Sequence, residues 1–167
     1  MQLLTESFIR SSFINASRKE VKDMTLPAGF DELTEADWQA HDVFGWRDPK
    51  FARRAYVIIP QLDGDPIGIA LKQAESSARA RAMCNWCRDV RLPNEVALWS
   101  AKRTGDAGRR GNTVATLVCL EFQCSRNVRN DMPPAYEGYD VVAARERRID
   151  ELQLRAAGFA EGLLNGG

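Results

Sequence analysis

The stretch CNWC, Cys84 to Cys87, and its counterpart CLEFQC, Cys119 to Cys124, decide how this chain is read. Two cysteines with two residues between them bring both sulfurs to one point, which suits a redox dithiol as well as half of a zinc site. The first pair alone leaves both readings open. The second pair adds an order. Cys119 closes an alternating apolar and polar run, NTVATLVC, and Cys124 opens a short helical run, CSRNVRN. Zinc requires four soft donors at the corners of a tetrahedron, and a knuckle plus a strand-to-helix junction supplies two from each side of a hairpin. A redox dithiol needs neither the second pair nor this arrangement.

The order of knuckle, hairpin and strand-to-helix junction is that of a treble-clef zinc finger, and the expected cofactor is one structural Zn²⁺ held by Cys84, Cys87, Cys119 and Cys124. With all four positions filled by protein, no place is left for a water nucleophile. Four thiolates and one Zn²⁺ leave a charge of about −2. Arg88, Arg126 and Arg129 are candidates to offset it, along with the first N–H groups after Cys124.

Working outward, EVALWSAKR and NTVATLVC flank the glycine-punctuated TGDAGRRG, and the three read as a hairpin with a loop at its tip. Upstream, RAYVIIP and PIGIALK flank Asp63-Gly64 and read as another hairpin. KQAESSARARAM is helical in propensity and leads to Cys84. Thr5 and Glu6 open a helix carrying Phe8, Ile9 and Phe13. Ser17 and Glu20 form a capping box for a second helix, and Pro27 ends that region. FDELTEADWQ reads as an acidic connection, and the Gly and Pro of DVFGWRDP argue for a loop or turn. A final amphipathic helix runs from about Val141, with Val142, Ile149, Leu152, Ala156, Phe159 and Leu163 on one face and Gly158 as a weak point. The expected fold class is α+β: an N-terminal helical segment, a β-hairpin and a treble-clef finger, followed by the C-terminal helix.

At 167 residues the chain can bury a core without disulfides. It shows no apolar run of the roughly 20 residues that cross a bilayer, and the first residues lack the pattern of a secretory signal. The expected location is the cytoplasm, where thiols stay reduced. The sequon Asn15-Ala16-Ser17 then reads as chance. Basic and acidic residues balance at 23 each, so nothing drives indiscriminate nucleic-acid binding. The distribution is uneven. Ser76 to Asn130 holds ten basic residues, including Arg79, Arg81 and Arg91, against four acidic ones.

Sites for chemistry are scarce. His41 is the single histidine, and no nucleophile elbow or phosphate loop accompanies it. Asp63 and Asp65 flank a glycine in an expected turn, where Asp is favoured for conformational reasons. Trp38, Trp46 and Trp86 read as core. No catalytic residue and no small-molecule substrate is expected, and the protein reads as a binding module rather than an enzyme.

The segment from Cys84 to Arg129 resembles the treble-clef region of the elongation-factor-G-binding proteins, the group that includes the FusB-type fusidic acid resistance proteins. The residues carrying the likeness are the four cysteines, Trp86 in the knuckle, Trp99 in the hairpin, the glycine-rich tip and the Ser-Arg-Asn-Val-Arg run after Cys124. LTESFIRSSFINASRKEVKDMTLP and DVFGWRDPKFARRAYVIIP are similar, more weakly, to the amino-terminal part of shorter bacterial members. The resemblance implies an elongation factor G-binding-type domain over residues 1–135, with its finger at about 80–131, and a helical tail over 136–167. It implies a translation-factor ligand that contacts elongation factor G through the finger, with Trp99, Arg103, Arg109 and Arg110 as candidate contacts. The resistance proteins carry a helical bundle ahead of the finger, where this chain has room for one or two short helices, so factor binding is better supported than drug resistance. The alternative partner is the ribosome or its RNA, since treble clefs with interleaved Arg and aromatic residues can engage RNA. No membrane partner is expected, because the last helix mixes Arg145, Arg147 and Arg148 with Glu146, Asp150 and Glu151.

Overall fold

The computed structural model describes residues 1–75, 82–90, 95–131, 133–134 and 136–165. Among them, five strands form one antiparallel sheet in the order β1-β2-β3-β4-β5: β1 (Phe44–Arg47), β2 (Arg54–Ile59), β3 (Ile67–Gln73), β4 (Val96–Lys102) and β5 (Thr113–Cys119). The helices are α1 (Glu6–Ser11), α2 (Arg18–Asp23), α3 (Glu35–Gln39), α4 (Gly105–Arg109), α5 (Cys124–Arg129) and α6 (Val141–Leu164), with a 3-10 turn at Phe30–Glu32. The mixed α+β reading therefore holds, and its two hairpins are halves of one sheet.

Strand alternation sends side chains to two cores. On one face of β2, Ala55, Val57 and Ile59 join Ile69, Leu71, Ala97, Trp99, the four cysteines, and Leu152, Ala156, Ala160 and Leu163 of α6. On the other, Tyr56 and Ile58 join Phe44, Trp46, Trp38, Met24, Ile9 and Leu4. The sheet is thus a middle layer between the N-terminal helices and a layer of knuckle, α5 and α6. Residues 136–165 share the core of the preceding chain. In α6 the buried set is Leu152, Ala156, Ala157, Ala160 and Leu163, while Val142, expected on the packed face, is 54% exposed.

Several local expectations hold for the reasons given. Thr5 caps α1 and accepts from the Phe8 N–H, and Ser17 and Glu20 form the capping box of α2. Two expected loops are ordered elements. DVFGWRDP contains β1, because Gly45 is required for close approach rather than for a turn: a Cβ there would lie 2.6 Å from the Phe122 ring. FDELTEADWQ contains α3, whose capping box pairs Thr34 with Asp37. In KQAESSARARAM, Lys72 and Gln73 belong to β3. Ala74, Glu75, Ala82 and Met83 are not helical, and the middle of that expected helix, at 76–81, lies outside the described residues, as do Arg79, Arg81 and Arg91.

Strands β3 and β4 share a short seam, with Lys72 opposite Ser100 and Gln73 opposite Trp99. Beyond it the segment after α1 supplies the missing partners. Gly68 N–H donates to Ser12 O at 2.9 Å and Ile14 N–H to Gly68 O at 3.0 Å. Asn15 accepts from the Ala70 N–H at 2.8 Å and donates to Ala70 O at 3.0 Å and Lys102 O at 3.2 Å. Backbone groups that part from a neighbouring strand must find other partners, and Asn15 fills that place. The residue of the sequon is a structural bridge.

The turn after β1 is fixed by buried Asp48, which accepts from Lys50 and Phe51 N–H groups at 2.8 and 3.2 Å and from the Tyr56 hydroxyl at 3.0 Å. Burial, then the hydrogen bond to that carboxylate, pushes the Tyr56 phenol up to about 12. The folded state thus holds this proton more tightly than the unfolded chain, whose phenols ionise near pH 10. The associated stability is present below about pH 10 and is lost as pH rises through 12. Spectrophotometric titration should show one of the three tyrosines ionising near pH 12, and Tyr56→Phe should remove that step. A wild-type titration complete by pH 11 would refute the assignment.

Candidate metal centre and finger surface

Each ligand is delivered by a different local device. In the knuckle, the Arg88 N–H donates to Cys84 O at 3.0 Å, the Cys87 N–H approaches Cys84 Sγ at 3.5 Å, and the Asn85 N–H is tied to Leu117 O of β5 at 2.7 Å. Arg88 takes φ 57°, the left-handed conformation that closes the turn. Cys119 is the last residue of β5 and Cys124 the first of α5. Between them Phe122, at φ 53°, turns its ring onto Trp99 at 5.3 Å between centroids and onto Gly45. The reversal between the last two ligands is therefore anchored in the core.

The four sulfurs lie within 4.8 Å of one another and all four residues are buried. Cys84 and Cys124 sulfurs are 3.7 Å apart, and those of Cys87 and Cys119 are 3.5 Å apart. A tetrahedron with Zn–S bonds of about 2.3 Å has edges of about 3.8 Å, so the donor set fits the ion. The thiols are free of disulfides. Hydrogen bonds from Cys119, Cys124 and Cys87 pull the Cys84 thiol far below the ordinary range, while hydrogen bonding to Cys119, Cys84 and Cys87 and burial push Cys124 well above it. Sulfurs this close share protons unless a cation replaces them.

Support for the centre comes partly from residues the sequence did not single out. Buried Asn127 directs Nδ2 to Cys119 Sγ at 3.5 Å and Cys87 Sγ at 3.8 Å, giving the thiolates amide donors. Helix α6 contributes Arg155, which donates to Trp86 O at 2.9 Å. It also contributes Arg148, which donates to Asn127 O at 2.7 Å and Asn130 O at 2.9 Å and so caps the C-terminal end of α5. Of the arginines expected to offset the site's charge, Arg88 and Arg126 are exposed. Arg129 instead forms an ion pair with buried Asp42. The only histidine, His41, points its Nδ1 at Asp37 O at 2.6 Å, a helix-end contact.

The family described as FBP C-terminal treble-clef zinc-finger matches residues 8–163. The chain belongs to that family. No curated protein matches the sequence. Among solved structures, the fusidic acid resistance protein FusC superposes with a TM-score of 0.55 at 15% identity, covering 90% of this chain and 59% of its own. At that identity the likeness is one of fold, and this chain spans 59% of the FusC chain's length.

In this treble-clef protein the candidate contact residues separate into two groups. Trp99, expected on the surface, is fully buried in the core, because odd positions of β4 face the cysteine layer. A ring with no exposed area offers nothing to a partner. It shapes the hairpin from within. Arg103 is half-buried and donates to Gly162 O at 2.7 Å, beside Thr104, which donates to Leu163 O at 3.1 Å. TGDAGRRG is therefore an ordered tip, not a loose one. It contains α4, docked on the last turn of α6, and Gly108 is required there because a Cβ would lie 1.8 Å from Arg103 O. Arg109 and Arg110 are exposed at the end of α4, with Arg109 in an exposed ion pair with Asp106. Among the described residues, no helix is long and apolar enough to cross a membrane.

Proposed function

We propose that this protein is a non-enzymatic zinc-binding protein that binds translation elongation factor G through its zinc-finger lobe and thereby influences the factor's release from the ribosome. The observation carrying the reading is the pair of exposed arginines at the end of α4, held on a hairpin braced by the cysteine centre on one side and by the end of α6 on the other. A preformed surface loses little entropy on docking, and Arg is a frequent anchor of protein interfaces. Family membership and the fold shared with FusC support the same reading.

Isothermal calorimetry with purified factor from the same source tests it. Arg109→Ala combined with Arg110→Ala should weaken binding roughly tenfold or more while leaving zinc content and melting temperature unchanged. No heat on the order of tens of micromolar, with folded and zinc-loaded protein, would remove elongation factor G as the partner.

A further inference from the structure

Where β3 and β4 part, the helix-facing side of the sheet is left open as a cleft of about 790 Å³. Its lining carries five cations, Lys50, Arg53, Arg54, Lys72 and Lys102, against one carboxylate, Glu20. Arg53 is paired with Glu75 at 3.0 Å, and Glu20 accepts from the Ser17 N–H at 2.8 Å in its capping box; at longer range Glu75 also acts on Lys72, and Glu20 on Lys102 and Arg54, so two carboxylates offset part of the charge of five cations. Among the described residues, no salt bridge reaches Lys50, Arg54, Lys72 or Lys102. Arg54 and Lys72 are direct cross-strand partners, and Ser100 follows Lys72 in the same row. Like charges placed directly opposite one another destabilise a sheet, so this row carries repulsion that an anion would relieve.

The surroundings narrow the kind of anion. An acidic peptide adding as a strand would need free backbone groups along β3, but those of Ala70 are occupied by Asn15. Recognition is left to side-chain charge and to Phe51, which is 44% exposed with the Arg54 guanidinium 4.4 Å from its ring centroid. Cations spaced along a groove beside an exposed aromatic ring are the features that hold a phosphodiester chain and stack an unpaired base. We infer that this cleft is a binding site for single-stranded RNA, in which Lys50, Arg54, Lys72 and Lys102 hold backbone phosphates and Phe51 stacks a base. The site is separate from Arg109 and Arg110 and does not depend on the elongation factor reading.

Fluorescence anisotropy of a labelled dodecauridylate with the full chain provides the test. Binding should weaken with salt along a log–log slope of about −2 to −3, as expected for three or four neutralised phosphates on a single strand. Lys72→Gln with Lys102→Gln should reduce affinity at least tenfold, and Phe51→Ala roughly tenfold. Arg109→Ala with Arg110→Ala should leave it within about twofold. Without RNA, Lys72→Gln should raise the melting temperature, since it removes the opposed charge. No binding at about 50 mM salt would overturn the proposal. Equal competition by a polyglutamate of the same charge would replace RNA with a generic acidic partner, and equal affinity for a duplex of the same length would remove the stacking role.

Discussion

Stripping zinc from this protein is expected to unfold the whole chain cooperatively, not to loosen the finger alone. The ligands Cys84, Cys87, Cys119 and Cys124 are 0–3% exposed and belong to the same core as β2, β3, β4 and α6. Structural zinc contributes about 10–16 kcal/mol in small sites, against a total stability of about 5–15 kcal/mol for a domain. Removing the ion leaves four thiols crowded within 4.8 Å under α6. Arg155 and Arg148 then hold an α6 whose partners, the Trp86 carbonyl and the end of α5, have lost their anchor. Elemental analysis should find close to one zinc per chain. Cys119→Ser should abolish it and, with it, the near-ultraviolet circular dichroism of Trp38 and Trp46, although both lie on the opposite face of the sheet. A zinc-free protein with native near-ultraviolet signal would refute the coupling. Survival of the Trp38 and Trp46 signal alone would show two units where one is expected.

The parts of the fold legible in the sequence are those whose signals are local. The alternation in RAYVIIP and NTVATLVC, the caps at Thr5 and Ser17, and the four cysteines each state their role within a few residues. Where the reading fails, a glycine most often has a distant partner. Gly45 looks like a loop until Phe122, far along the chain, is seen against it. The glycines of TGDAGRRG look like slack until α4 is found on the end of α6. The acidic run FDELTEADWQ differs, because α3 carries a usable local signal in the Thr34 and Asp37 capping box. At the site the ligands were readable and their supports were not, because Asn127, Arg148 and Arg155 act across the fold and nothing in their own neighbourhoods marks them. Trp99 shows the converse: an aromatic residue in a basic finger suggests an interface, yet its strand position turns it inward.

Arg129→Met is expected to destabilise the protein by about 3 kcal/mol through Asp42 rather than through zinc. Asp42 is 4% exposed, just ahead of β1, and the Arg129 guanidinium meets both its oxygens, with Nη2 3.2 Å from Oδ1. Gln153 of α6 donates to the same Oδ1 at 3.0 Å, and the Asp42 N–H donates to Ser125 Oγ at 3.0 Å. One carboxylate therefore ties α5 and α6 to the start of the sheet. Removing the cation leaves a buried charge with one side-chain amide hydrogen-bonded to it and the Met1 ammonium acting on it only at longer range, and breaking a buried pair costs about 3–5 kcal/mol. The lower end applies because the Arg129 side chain is 31% exposed and solvent screens part of the pairing. For a domain of this size, that corresponds to a fall in melting temperature of roughly 6–12 °C. Adding Asp42→Asn to Arg129→Met should recover part of the loss, since the stranded charge is gone while an oxygen remains for Gln153. Zinc content should stay near one per chain in both variants. If Arg129 served instead as a counter-charge for the thiolates, Arg129→Met would weaken zinc retention and Asp42→Asn would restore nothing. A double-mutant cycle on melting temperature, with zinc measured on each protein, separates the two outcomes.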